Sequence, residues 1–119
     1  MNYLLVFIGG GFGSVLRYGI SMLLKNSIYK LPVATIVTNL ISCILIGLLV
    51  FYFSSKWPVN SYYRPLLIIG FCGGFSTFST FSFETFELIK SGNYLFSVLN
   101  VLISVGFGLG ILALLQKSI

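Results

Sequence analysis

Four uninterrupted apolar stretches, at about 3–24, 32–53, 63–89 and 94–116, occupy most of this 119-residue chain. Each reaches the ~20 residues that a helix needs to cross a bilayer. The connecting segments are short, which makes consecutive helices antiparallel neighbours and leaves no room for a soluble domain. The chain is 57% hydrophobic and only 8% charged, against about 25% charged in soluble domains. A soluble fold of this size could not hide so much apolar surface. The reading is an all-α, multi-pass protein of the cell (plasma or inner) membrane, with one transmembrane domain over residues 1–119. No secretory signal is expected, because the first positive charge is Arg17 and the first apolar run is too long.

The ends of the spans carry ordinary membrane punctuation. Lys25-Asn26 and Lys30 close the first, and Pro32 opens the second, where a missing N–H costs nothing. Lys56-Trp57-Pro58 ends the second span, with Trp57 at the interface. The net charge of +5 comes from seven Lys/Arg against Glu84 and Glu87. In a soluble domain that balance would point to nucleic acid. Here the basic residues sit mostly at span ends and snorkel to headgroups, so lipid is the expected partner and nucleic acid is not.

The same charges bear on orientation. Lys56, Arg64 and Lys117 fall on one side and Lys25, Lys30 and Lys90 on the other, with Arg17 inside the first span. Three against three gives no bias for the positive-inside rule to read. Two readings stand: insertion in both orientations, which allows an antiparallel homodimer, or one orientation set by weaker cues. Cys43 and Cys72 lie in apolar segments of a chain without His, so a soft-ligand metal site is not expected and free thiols are.

Gly9/Gly13, Gly70/Gly74 and Gly106/Gly110 have the small-xxx-small spacing that lets helix backbones approach. Gly9-Gly10-Gly11-Phe12-Gly13 follows no strand and does not fit G-x-G-x-x-G, so a nucleotide loop is rejected.

Residues 70–84 are unlike the rest of the third span. Gly73-Gly74 weakens the helix, and Ser76, Thr77, Ser79, Thr80, Ser82 and Thr85 follow, interleaved with Phe75, Phe78, Phe81 and Phe83. A broken, hydroxyl-rich backbone at membrane depth is tolerated only where it is buried in protein or lines a wet path. A pathway for a small solute or ion is therefore expected. Arg17, roughly 21 Å along its helix, either attracts anions in a vestibule or is structural, paired with Glu84 or snorkelling. Thr35, Thr38, Asn39 and Ser42 form one polar stripe on the second span. The Asn39 amide has N–H donors that suit an anion, although an interhelical hydrogen bond would also account for one Asn. Aromatic edges carry the positive end of the ring quadrupole, so phenylalanines beside hydroxyls could hold a desolvated anion. Taking a carboxylate-sized ion into low dielectric costs of order 20 kcal/mol, which calls for many replacement donors. The two glutamates argue mildly against an anion unless paired or placed at the end of its path. A broken helix also exposes carbonyl oxygens of the kind that coordinate Na⁺.

At these residues the chain resembles the Fluc (CrcB) family of fluoride channels. The resemblance runs through Gly9-Gly10 to Arg17-Tyr18, Pro32 to Asn39 and Gly47, and Gly70 to Glu84. It implies passive, protective fluoride export by a dual-topology antiparallel homodimer with two pores and a structural Na⁺ at its centre. Carried over by position, it implies Phe78 and Phe81 as pore phenylalanines, Asn39 as pore asparagine, and Ser79 and Thr80 as a hydroxyl track. It implies Arg17 and Glu84 as the vestibule Arg and acidic residue, and the carbonyls of Gly73 and Ser76 as Na⁺ ligands. Ser104 and Asn100 are the expected pore-facing residues of the fourth span. The chain departs from the family pattern at Ser76 (usually Thr), at Ala34 and Ser42 (usually Gly) and at Cys43 (usually Ser).

The rival from another class is a small dual-topology, proton-coupled multidrug transporter. Such a transporter needs a carboxylate in its first span, and this one holds only Arg17. A purely structural subunit would not explain the third span. An enzyme is not expected, since no base stands beside a nucleophile.

Overall fold

In the computed structural model, residues 2–24, 32–53, 56 and 62–118 are described. Lys25, Asn26, Lys30, Trp57 and Pro58, read above as span ends, lie outside the described residues. Four helices are long and apolar enough to cross a membrane: α1 (Asn2–Leu24), α2 (Val33–Phe53), α3 (Arg64–Lys90) and α4 (Tyr94–Lys117). Their bounds fall within a residue of those expected from hydropathy alone. In lipid the backbone must satisfy its own polar groups, and a helix does so within one segment.

Side-chain placement is inverted relative to a soluble domain. The most buried residues include Thr35, Thr38, Ser42, Ser97 and Asn100 beside Ile36, Cys72, Phe75 and Leu88, whereas Tyr3, Phe7, Leu23 and Phe107 face outward. Polar groups meet inside the bundle, and the apolar exterior is suited to lipid.

The main partner of α1 is not its sequence neighbour α2 but the first half of α3. Glycines on both helices allow this. A Cβ on Gly74 would lie 2.4 Å from the Gly10 carbonyl oxygen, and one on Gly13 would lie 2.4 Å from that of Phe71. Backbone therefore packs on backbone. The Gly9/Gly13 and Gly70/Gly74 pairs both serve this seam, whereas a Cβ on Gly106 or Gly110 would meet nothing within 4 Å among the described residues. At the other end α2 packs on the last part of α4, where Gly47 faces Leu112 and Leu115.

The turn from α3 to α4 is a Schellman cap. Asn93 N–H reaches the Leu88 carbonyl at 2.8 Å and Gly92 N–H reaches that of Ile89 at 3.1 Å. Gly92 takes φ 85°, a conformation that glycine adopts without steric cost. The backbone widens to π-helical hydrogen bonding over Arg64–Cys72 and Leu102–Phe107.

Candidate ion pathway

The helix of α3 breaks at Ser76 (ψ 161°) and Thr77 (φ −153°, ψ 124°), both extended. Gly73 and Gly74 before it remain helical. Their place in the sequence marks the break, but Gly74 is there for its contact with Gly10, and the chain departs from the helix only at Ser76.

Every backbone group at the break raises the question of where its hydrogen bond goes. Thr77 N–H donates to Asn39 Oδ1 at 3.1 Å, and Asn39 Nδ2 donates back to the Thr77 carbonyl at 3.4 Å. One side-chain amide on α2 thus serves both backbone groups of one residue on α3. Thr77 then caps the second half of α3, its hydroxyl accepting from Thr80 N–H at 3.3 Å. The Cys72 carbonyl accepts from Ser76 N–H (3.1 Å), Ser76 Oγ (2.8 Å) and Ser42 Oγ (3.4 Å). Arg17 Nε donates to the Gly74 carbonyl at 3.2 Å. With Thr77 N–H and Thr80 N–H spent on side chains, the carbonyls of Gly73 and Ser76 lose the i+4 donors that a continuous helix would give them.

Two cavities adjoin the break, and a third lies beyond them along the second half of α3. The first, about 360 Å³, is walled by Phe78, Phe81, Asn39, Ser42, Cys43, Ser76, Thr77 and Ser104, among others. The two rings stand 6.1 Å apart and 43° to one another. Phe78 is 78% exposed in the single chain, so its ring lines the cavity at an open side. The second cavity, about 240 Å³, holds Arg17, Thr35, Thr38, Thr77, Thr80 and Glu84. The third, about 370 Å³, holds both acidic residues of the chain, Glu84 and Glu87, with Pro32 and Ser91. Thr77 walls the first and second, and Glu84 the second and third. Three adjoining spaces result, with the aromatic end and the acidic end separated by the Arg17 cavity.

The residues expected at the site are sorted by this arrangement. Asn39, Phe78, Phe81, Ser76 and Ser104 meet in the first cavity, and Arg17, Thr80 and Glu84 in the second. Ser79 is exposed and walls none of the three, and Gly73 is exposed beside the break. Asn100 is fully buried away from all three. Arg17 and Glu84 share a cavity, yet among the described residues no ion pair joins them; Glu84 Oε1 instead accepts from Thr35 Oγ1. The Ser104 hydroxyl is buried without a hydrogen-bond partner. Ala34, Ser42 and Cys43 all stand on cavity walls.

Sequence reasoning counted Thr77 only as one hydroxyl of six. A threonine just ahead of a helical segment is a capping signal, and that signal was available. The Asn39–Thr77 and Thr35–Glu84 pairings carry no local signal, since 38 and 49 residues separate the partners.

A family profile described as "CrcB-like protein, Camphor Resistance (CrcB)" matches residues 4–115, through all four helices. The chain belongs to the CrcB family. Among its CrcB relatives is a protein of Coxiella burnetii named fluoride-specific ion channel FluC. It is 45% identical over 107 residues, covering 88% of this chain and 86% of the relative. A protein of the same name from Phocaeicola vulgatus is 50% identical over 99 residues, 78% of this chain and 77% of the relative. One from Leptospira interrogans is 42% identical over 111 residues, 92% and 87% of the two chains. These CrcB relatives match the chain across the polar break as well as the apolar spans around it.

Proposed function

We propose that this protein is a fluoride-selective channel through which fluoride leaves the cell passively. The observation that carries the reading is the first cavity, in which two phenylalanine rings face an amide and several hydroxyls, in a chain 42–50% identical to proteins named for fluoride conduction. Arg17 draws the anion into the second cavity. Thr80 and Thr77 hydroxyls begin to replace its water. In the first cavity Asn39, Ser104 and the edges of Phe78 and Phe81 complete the exchange. Asn39 Nδ2 has two hydrogens, and only one is needed by Thr77. Glu84, held by Thr35, walls the Arg17 cavity and not the one that holds the rings. Selectivity arises from a lining too narrow and dry for chloride.

The working unit in this proposal is an antiparallel, dual-topology homodimer with two pores. A second copy would cover the open side at Phe78. A Na⁺ ion would hold the two copies together at the dimer centre. The carbonyls of Gly73 and Ser76 fit that role, because hard cations take oxygen ligands and the break has removed the helical donors of both. The ion would supply positive charge against these carbonyls and nothing else.

The test is efflux from liposomes containing the purified protein, fluoride against chloride, under an ionophore-set potential. Rapid fluoride loss with negligible chloride loss is expected. Folded dimers that release no fluoride would overturn the proposal, and drug/proton antiport would be assayed next.

A further inference from the structure

Among the described residues, the most buried side chain lies outside the pathway just described. Asn100 is 0% exposed, walls none of the three cavities, and has one half of its amide unused. Nδ2 donates to Thr85 Oγ1 at 2.8 Å, while Oδ1 is buried without a partner. Thr85 in turn donates its hydroxyl to the Phe81 carbonyl at 2.8 Å. That hydroxyl has a single hydrogen, already spent on Phe81, so the amide that meets it must be donating.

We infer that Asn100 is a positioning residue for Phe81, acting through Thr85; the inference rests on the channel reading, in which the Phe81 ring is part of the lining. Within the second half of α3, Phe81 and Thr85 are one helical turn apart, so the Phe81 carbonyl already receives Thr85 N–H. A threonine hydroxyl added to the same carbonyl competes for it and often bends a helix at that turn. Left alone, the hydroxyl could rotate away. Donation from Asn100 holds it in place, so α4 fixes the geometry of the turn of α3 that carries the ring. A residue meant only to pack this site would be apolar and would leave no buried oxygen unsatisfied. Asn is suited to the site because its donor is needed.

The test measures the fluoride-to-chloride efflux ratio of purified, size-checked protein for wild type, Asn100→Leu, Thr85→Val, their double variant and Thr85→Ser. Asn100→Leu and Thr85→Val should each lower the ratio roughly tenfold, and the double variant no further, because one chain of bonds is cut at two places. Thr85→Ser keeps the hydroxyl and should keep the wild-type ratio. If Asn100→Leu does not fold, Thr85→Val against Thr85→Ser decides alone. Single variants that assemble less well but keep the wild-type ratio would overturn the positioning role and leave the channel standing, as would losses that multiply in the double variant. A wild-type protein that passes no fluoride would overturn both.

Discussion

The two halves of α3 are held by different physics. Before the break, Arg64–Cys72 and the turn after it lie against α1 mainly through glycines, backbone on backbone, with Arg17 Nε on the Gly74 carbonyl at the end of the seam. After it, Phe78–Lys90 is held through side chains: Asn39 and Thr35 from α2, Asn100 from α4. The first arrangement is mostly close dispersion contact, with polar bonds only near the break, from Arg17 to Gly74 and from Ser42 to Cys72. The second leaves hydroxyls, rings and charged groups around cavities. A single span can thus be anchored at one end and functional at the other, because the break separates a rigid seam from a polar lining.

The sharpest way to break this comparison is to fill the seam. Gly13→Leu places a side chain where 2.4 Å separates even a Cβ from the Phe71 carbonyl oxygen. Both facing atoms are backbone, so α1 and α3 must separate. The expected cost exceeds the usual ~1–3 kcal/mol of overpacking, and size-exclusion chromatography in detergent should show loss of the folded species. Next comes Asn39→Leu, which orphans the Thr77 N–H and C=O together. At ~1–3 kcal/mol for each unsatisfied group, the thermal midpoint should fall clearly and fluoride flux should disappear. An unchanged midpoint would mean that Asn39 does not hold the break. Phe81→Val acts on the other side of the contrast. It should sharply reduce fluoride efflux while the protein still assembles as the wild type does, and wild-type flux would remove the ring from the mechanism. Smallest of all is Gly106→Ala. Among the described residues no neighbour lies within 4 Å of its added methyl in the single chain, so the dissociated protein should only gain, by up to about 1 kcal/mol, the helix propensity that alanine has over glycine. A larger shift that appears only in the associated form would place a second copy against that face.

What was legible in the sequence follows the same division. The spans were readable to within a residue because hydropathy is a local property and only a helix satisfies backbone in lipid. The small-residue spacing of Gly9/Gly13 and Gly70/Gly74 marked the seam, but spacing does not say which helix answers which. Short loops pointed α1 to α2, whereas interlocking glycines took it to α3. The break was expected near Gly73–Thr77, from the weak helix propensity of the glycine pair, and within that range the extended residues are Ser76 and Thr77, because the backbone leaves the helix where Asn39 waits for it. The contact between Asn39 and Thr77 depends on how two helices meet. The same is true of Thr35 with Glu84 and of Asn100 with Thr85. Residue chemistry singled out Asn39, and the family resemblance Glu84 and Ser104, but the sequence could not show that the first grips Thr77 and the others wall different spaces.

The grip of Asn39 on Thr77 also implies an order of assembly. A segment of 27 residues entering lipid by itself has nothing to receive the amide and carbonyl of an opened turn, and a continuous helix is then the better state. Asn39 is synthesised earlier and already waits on the preceding segment. The third span would therefore enter as one rod and open only when it docks. The opening would then come late in assembly, made by the neighbour that carries Asn39.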